Sequence, residues 1–221
     1  QATLFRIWAT ENCAFFAARI FNQPDQFIQR NTRPSSDIKG FIYPARFQQV
    51  GGGFDLLDER TVRFYRRTPL RPTVVETDVY PGFSTDWQQP FAIMLTQANG
   101  ISIIHETVYE NRFGYLRALN DLGANTQLTT HCLGGLPCRY SDKNHEHSAI
   151  VVGPTPLRAD DTVITIPDLR AGLAYIIAAA IARGTSIIRG VHLLERGYGD
   201  VVPRLSRMNL RIERVPLGAV V

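Results

Sequence analysis

Apolar positions along the chain fall into two kinds of stretch. Runs at residues 91–98 and 173–182 continue too long for strands and read as helices buried over most of their surface. Each is followed by a glycine and a short segment rich in β-branched residues, Gly100-Ile101-Ser102-Ile103-Ile104 in one place and Gly184-Thr185-Ser186-Ile187-Ile188 in the other. Both read as helix, glycine stop, strand. Thr73-Val74-Val75-Glu76-Thr77 and Thr162-Val163-Ile164-Thr165-Ile166 read as the strands that enter the two units.

The repetition continues downstream. Asn111-Arg112 corresponds to Glu195-Arg196, and a helix ending Leu119-x-x-Leu122-Gly123-Ala124 corresponds to Leu205-x-x-Met208-Asn209-Leu210. Self-similarity of this kind marks a fold assembled from copies of one supersecondary unit. A fainter third copy has a helix over 14–21, a strand at Phe27-Ile28 and a second helix over 38–50 that closes at Gly51-Gly52-Gly53. A strand around Phe54 and, after the turn Asp58-Glu59-Arg60, a return strand Thr61-Val62-Arg63-Phe64-Tyr65 complete it. The expected organisation is therefore three α/β units in one domain, over about 1–72, 73–158 and 159–221, joined at the proline-bearing segments 69–72 and 154–158. The third is short at its end: beyond the strand near Ile212 only the apolar tail 215–221 follows, so part of the unit is expected to be missing.

With 44% hydrophobic and 20% charged residues over 221 positions, the chain can bury a sizeable core and reads as an ordinary soluble protein. The run at 173–182 is too short for a bilayer and ends at Arg183, so no membrane partner is expected. Residue 1 is Gln and no basic-then-apolar leader follows, the expectation for an excised piece. Cys13, Cys132 and Cys138 cannot all pair, and a reducing cytoplasm fits them. The net charge of +4 comes with arginines scattered along the chain, which favours an anionic small ligand over nucleic acid.

The candidate chemistry lies at equivalent points of the two clear units. Thr85-Asp86 opens one core helix and Pro167-Asp168-Leu169-Arg170 opens the other; helix capping alone would account for both aspartates. Their company argues for more. Arg112 and Arg196 occupy the same place after the following strand, so two equivalent loops bring acids and cations to one rim. Arginine offers a fixed fork of donors to phosphate or carboxylate, and an aspartate can accept a hydroxyl proton.

Four strings stand in order on this frame: Tyr80-Pro81-Gly82-Phe83-Ser84-Thr85-Asp86, Glu106-Thr107-Val108-Tyr109-Glu110-Asn111-Arg112-Phe113, Asp168-Leu169-Arg170-Ala171 and Glu195-Arg196-Gly197-Tyr198. Together they resemble the UDP-N-acetylglucosamine enolpyruvyl transferase family, closely over about 75–213 and faintly before that, where Arg6-Ile7 and Arg30-Asn31-x-Arg33-Pro34 are similar to the family but 8–12 and 41–49 depart from it. The resemblance implies an inside-out α/β barrel of three β-α-β-α-β-β repeats, one of two such barrels that enclose a cleft. It also implies that a segment from the parent's N-terminus completes this barrel, and that the reaction transfers the enolpyruvyl group of phosphoenolpyruvate to the 3-hydroxyl of UDP-N-acetylglucosamine, with release of phosphate, in peptidoglycan synthesis.

By the same resemblance Asp86 would hold and deprotonate the sugar hydroxyl and Val108 would contact the sugar nucleotide. Arg112 and Arg196 would hold the phosphate and carboxylate of phosphoenolpyruvate, with Asp168 and Leu169 beside the reacting carbon. Asp86, Asp168 and Arg196 are the catalytic expectation; Asp86, Val108, Arg112, Asp168, Leu169 and Arg196 the substrate-binding one. No cofactor is required. Glu195 stands where the family more often has Asp. The Lys-Asn pair and the cysteine-bearing loop that the family's other barrel supplies do not occur here, so that missing barrel is an expected partner and the chain alone is expected to be inactive. The related 5-enolpyruvylshikimate-3-phosphate synthases fit the Phe83–Asp86 and Glu110–Phe113 strings less well. A noncatalytic sugar-nucleotide-binding module, a decayed remnant and a bare structural repeat remain as alternatives.

Two further clusters are candidates for other chemistry. Cys132-x5-Cys138 followed by His145-x-His147, with His131 beside them, could supply four metal ligands. The first spacing is wider than is usual for structural zinc, and Gly134-Gly135-Leu136-Pro137 reads as a turn in a polar hairpin extension, so no metal is assigned. None of the three cysteines is expected to be a nucleophile, and Cys13 reads as a small buried hydrophobe. Tyr80, Tyr109, Tyr115 and Tyr198 read as aromatic packing around the loop bases rather than as base-stacking platforms.

Overall fold

The structure, a computed structural model, describes residues 3–9, 27–30, 42–58, 61–207 and 210–216. The helix expected over 14–21 lies outside the described residues, as do Cys13, the Asn31-x-Arg33-Pro34 string and the first part of the helix expected over 38–50.

The second unit shows the repeat most fully. Strand β5 (Val74–Glu76) leads into α2 (Thr85–Leu95), β6 (Gly100–His105), α3 (Tyr115–Asp121), β7 (Asn125–Thr129) and β8 (Ser148–Gly153). The sheet order is β5-β6-β8-β7, with β5 parallel to β6 and the remaining pairs antiparallel. Helix α2 starts at Thr85, where Thr85-Asp86 was expected to open it, and ends at Leu95, short of the apolar run's end at 98; the turn-rich segment 130–147 joins β7 to β8 as a hairpin extension.

In the third unit β9 (Arg158–Thr165), α4 (Leu169–Ile181) and β10 (Arg183–Arg189) repeat the first half of that pattern, followed by α5 (Val191–Tyr198), α6 (Val201–Arg207) and β11 (Arg211–Pro216). The ends of the second helices correspond closely: Ala124 N–H donates to Leu119 O at 2.9 Å, and Leu210 N–H to Leu205 O at 3.1 Å. The strand that this unit lacks in sequence comes from the start of the chain. Strand β1 (Thr3–Ala9) pairs antiparallel with β10 on one side and β11 on the other, giving the order β11-β1-β10-β9. It thus occupies the position that β8 holds in the second sheet, and the sequence reading, which placed Arg6 and Ile7 in the first unit, is corrected on that point. The pattern of β1 explains its seat: Phe5 and Ile7 are fully buried, and Arg6, between them, faces Glu213 of β11 at 3.5 Å. The face that carries Arg6 is mixed, with Leu4 buried against Ile187 and Val215, and a shift of one residue would move Phe5 and Ile7 off the core.

The first unit is represented by β2 (Phe27–Arg30), α1 (Ile42–Gln49), β3 (Gly52–Leu56) and β4 (Thr61–Arg66), in the antiparallel order β2-β4-β3. Sheets lie outside and helices inside. Most residues of α2 and α4 are buried, and Phe5, Ile7, Val75, Ile104, Val151, Ile164 and Ile188 point onto them from the strands in one contiguous core. Small side chains on α4, at Ala171, Ala174, Ala178, Ala179 and Ala180, let neighbouring elements approach the buried helix from several directions. This is the inside-out α/β arrangement. No helix among the described residues is long and apolar enough to cross a membrane.

The glycines expected to stop the core helices act differently. Helix α4 ends at Ala182 in extended conformation, and Gly184 lies inside β10 with φ +104°, where an added Cβ would come to 2.0 Å from the Ala159 carbonyl oxygen of β9. Close backbone approach at a conformation closed to L side chains is what fixes glycine there. Gly184→Ala is expected to cost at least about 2 kcal/mol in chemical denaturation. Gly114→Ala, at a residue with φ −53° and open space around it, should stay within about 0.5 kcal/mol of the parent.

Candidate active site

One buried carboxylate organises the rim of the second unit. Glu106 follows β6 and is completely inaccessible to solvent. Its Oε1 accepts from Thr77 Oγ1 at 2.8 Å, Val108 N–H at 2.8 Å and Tyr109 N–H at 3.0 Å; Oε2 accepts from Thr85 Oγ1 at 2.8 Å and Gln88 Nε2 at 3.2 Å. Thr77 follows β5, and Thr85 and Gln88 lie on α2, so one side chain ties a strand end, a helix start and the loop that carries Val108 and Tyr109. Thr107 tightens the same knot, its hydroxyl donating to Thr77 O and its N–H to Thr77 Oγ1.

Beyond the knot the chain turns through Asn111, whose φ of +52° is the single positive value at a non-glycine among the described residues. Asparagine tolerates this left-handed conformation better than most residues. The turn delivers Arg112 inward: its side chain is 9% exposed, and Nη2 donates to Asp86 Oδ1 at 2.8 Å. Asp86, in the first turn of α2, is 60% exposed on its side chain. It is not the helix cap, because Ser84 fills that position and accepts from Asp86 N–H. Arg112 Nε is buried with no hydrogen-bond partner. A nearly buried guanidinium with a free donor, joined to a carboxylate that faces solvent, is an anion seat with a displaceable partner.

The third unit meets this seat from the other side. Asp168 caps α4, accepting from Arg170 N–H at 2.7 Å and Ala171 N–H at 2.9 Å. Arg170 extends over the Tyr109 ring, its Cζ 5.1 Å from the ring centre, while Arg112 lies 5.9 Å from the same ring. The Tyr109 hydroxyl first, then the carboxylates of Asp86 and Asp168, hold Arg170 above its ordinary range. Tyr109 therefore bridges two cations from different repeats, which corrects the reading of it as loop packing. Tyr115 alone of the four tyrosines is buried as expected; Tyr80 is 88% exposed and Tyr198 is exposed as well. Arg170 stands in the sequence strings without an assigned role, and only the crossing of two repeats brings it to Tyr109.

Leu169 lies over Gly197 on α5, the residue next to Arg196. Arg196 itself is exposed in the last turn of that helix and makes no ion pair with a described residue. It keeps the spacing of Arg112, seven residues past the end of the preceding strand, but sits in a helix rather than a turn. Its neighbour Glu195 pairs with Arg214 of β11, which also holds Asp200 at 2.8 Å. Asp86, Arg112, Arg170 and Asp168 are thus gathered at one edge, and Arg196 is exposed on α5.

Val108 joins this rim to the hairpin extension, for its carbonyl accepts from the Arg139 guanidinium and from Tyr140 Oη. At the base of the extension His105, Cys132, Cys138 and His147 converge, their ligand atoms all within 4.8 Å of one another. His145, counted as a ligand from its spacing, stands outside the group, and His105 of β6 takes the place expected of it. Burial, then His147, keeps the His105 pKa below its ordinary value against the opposing pull of Glu76 and Glu106. Partial burial would raise the neighbouring Glu76 carboxyl, but donation from Gly135 N–H at 2.9 Å and Leu136 N–H at 2.8 Å, with His105 and Arg46 nearby, holds it lower.

Removing the central carboxylate should unfasten the rim. Glu106→Ala leaves five donors facing a buried void and is expected to cost about 3–5 kcal/mol. Glu106→Gln should cost less than half of that in the same denaturation series, because Gln88 Oε1, buried without a partner, can turn to accept from the new amide.

Comparison with known proteins bears on the family and the fold. The family model described as EPSP synthase (3-phosphoshikimate 1-carboxyvinyltransferase) matches residues 17–205. A UDP-N-acetylglucosamine 1-carboxyvinyltransferase from Chlamydia abortus is 51% identical over 175 residues, 78% of this chain and 39% of that protein. One from Symbiobacterium thermophilum is 35% identical over 70% of this chain and 32% of its own length. Among solved structures, the enolpyruvyl transferase NikO from Streptomyces tendae superposes with a TM-score of 0.74 at 24% identity, over 93% of this chain and 44% of that one. An EPSP synthase from Acinetobacter baumannii gives 0.61 at 14% identity, over 92% and 46%. The chain spans about two-fifths of the length of its nearer curated relatives and just under half of these solved chains. Shared fold, matched family model and half-identical relatives lead to one statement: the chain belongs to the EPSP synthase family.

Proposed function

We propose that this chain forms one wall of a cleft in which the enolpyruvyl group of phosphoenolpyruvate is transferred to the 3-hydroxyl of UDP-N-acetylglucosamine with release of phosphate, a step of cell-wall precursor synthesis. The observation that carries the reading is the nearly buried Arg112, with a free Nε donor and an exchangeable partner in Asp86. A phosphate or carboxylate that displaces Asp86 from Nη2 meets a cation that burial has already desolvated.

Asp86 then takes two roles in turn. It neutralises Arg112 in the empty site, and when the anion arrives its carboxylate becomes available to the sugar hydroxyl as a hydrogen-bond acceptor and base. Asp168, held by two backbone N–H groups, presents its remaining acceptor capacity at the adjacent edge, with Leu169 beside it. Arg196 supplies an exposed second cation for the other anionic group of phosphoenolpyruvate, and Arg170 adds a third positive charge over Tyr109. Val108, its N–H and carbonyl both engaged, offers a fixed side-chain contact for the sugar nucleotide. The opposite wall of the cleft would be the remaining length of the relatives, a second barrel that acts as this chain's partner.

The test is complementation. This chain and a separately produced second barrel of a relative are mixed with both substrates, and phosphate release is followed. Release is expected to require both pieces and to fall about 100-fold or more in Asp168→Asn, a variant that still caps the helix. No release from two folded, associated pieces that bind UDP-N-acetylglucosamine would replace this reading with that of a noncatalytic binding module.

A further inference from the structure

The group at the base of the hairpin extension, which the proposed transfer does not use, has the composition of a structural metal centre. Sheet register builds it. His105 of β6 faces Ser148 of β8, and Ser148 faces Thr129 of β7, so the residues flanking this row, His147 and Cys132, are brought alongside His105. The turn at 133–137 then returns Cys138 to the same point. This origin explains the wide spacing between the two cysteines: the ligands are brought together by a three-stranded sheet rather than by a short knuckle, and the fourth comes from a strand far upstream.

Each histidine has one ring nitrogen already engaged and the other turned to the group. His147 Nδ1 lies 2.7 Å from the His145 carbonyl, to which it donates, leaving Nε2 unprotonated and 3.2 Å from Cys132 Sγ. His105 Nδ1 is 2.8 Å from Ser148 Oγ, and Ser148 donates in turn to the His131 carbonyl at 2.7 Å. His105 Nε2 is buried with no partner, on a side chain wholly shielded from solvent. Cys138 Sγ accepts from Tyr140 N–H at 3.4 Å, the kind of backbone donation that stabilises a thiolate. An imidazole with its outer nitrogen anchored and its inner one unsatisfied is arranged as a ligand.

We propose that His105, Cys132, Cys138 and His147 bind one zinc ion, which clasps the 130–147 extension to β6. Two thiolates and two imidazoles are a preferred set for tetrahedral zinc, and ligand bonds of about 2.0–2.3 Å place the four atoms about 3.3–3.8 Å apart. The group, within 4.8 Å throughout, reaches that geometry by small side-chain movements. Cys132 is exposed, so the ion has a way in. All four positions are filled by protein, which makes the centre structural. Through Tyr140, whose N–H meets Cys138 and whose hydroxyl meets the Val108 carbonyl, the clasp also steadies the loop at the rim.

The test uses the full untagged chain, purified under reducing conditions and incubated with zinc before desalting. About one zinc per chain is expected by elemental analysis, and cobalt replacing it should give the intense visible bands of tetrahedral coordination with thiolate charge transfer. Cys138→Ser and His105→Asn should lower bound metal at least about fivefold, whereas His131→Gln and His145→Gln should retain it. Chelation should speed amide hydrogen exchange in 130–147 and leave that of α4 unchanged. A folded wild-type chain that retains less than about a tenth of an equivalent of zinc would overturn the proposal, as would weak octahedral cobalt bands or a Cys132–Cys138 disulfide surviving the reducing preparation. These wild-type readings decide the matter even if a variant fails to fold.

Discussion

A carboxylate shut away from water is costly unless every lone pair is met, and Glu106 meets that condition with five donors from three separate segments. The result is more than local stability. The donors from Val108 and Tyr109 orient the peptide planes that lead into Asn111, and that left-handed turn sets where Arg112 enters the protein. The position of the guanidinium over Tyr109, its pairing with Asp86 and the meeting with Arg170 from the next repeat all follow from a loop that cannot relax while the carboxylate stays satisfied. Positioning of this kind is what anion recognition requires, because a cation held in advance loses little on binding.

Repeats explain why much of this could be read from sequence. The two buried helices, the strands on either side of them and the acids near their starts recur in the same order, and the helices and strands lie where that order predicts. Arg112 and Arg196 also keep equal offsets, yet one lies in a strained turn and the other in a helix. The difference follows from residues between them: Glu106 and Asn111 hold the first loop in a compact turn, while the segment after Gly190 has the apolar spacing of Val191 and Leu194 to form an amphipathic helix. Equal spacing fixed the location of the cations but not the conformation that presents them.

What escaped the sequence was contact between repeats. Tyr109 and Arg170 stand in strings whose resemblance to the family was plain, but their stacking depends on how one unit lies against the next. His105 was likewise given no role, since its partners come from a hairpin beyond the next helix, and spacing within one segment could not bring it to the cysteines. Strand β1 is the extreme case. Nothing local distinguishes a strand that pairs with its own unit from one that completes a unit some two hundred residues away, as the Arg6–Glu213 pair does.

That strand has a consequence for the order of events during synthesis. Residues 3–9 are made first among the described segments, yet both edges on which they pair, 183–189 and 211–216, are made last. Until those emerge, an apolar strand with two open edges must wait unpaired, a state in which foreign strands can compete for it. Once seated, it fastens early chain to late chain inside the sheet: β1 cannot leave without breaking its pairs on both sides, whereas β11 is held through β1 alone.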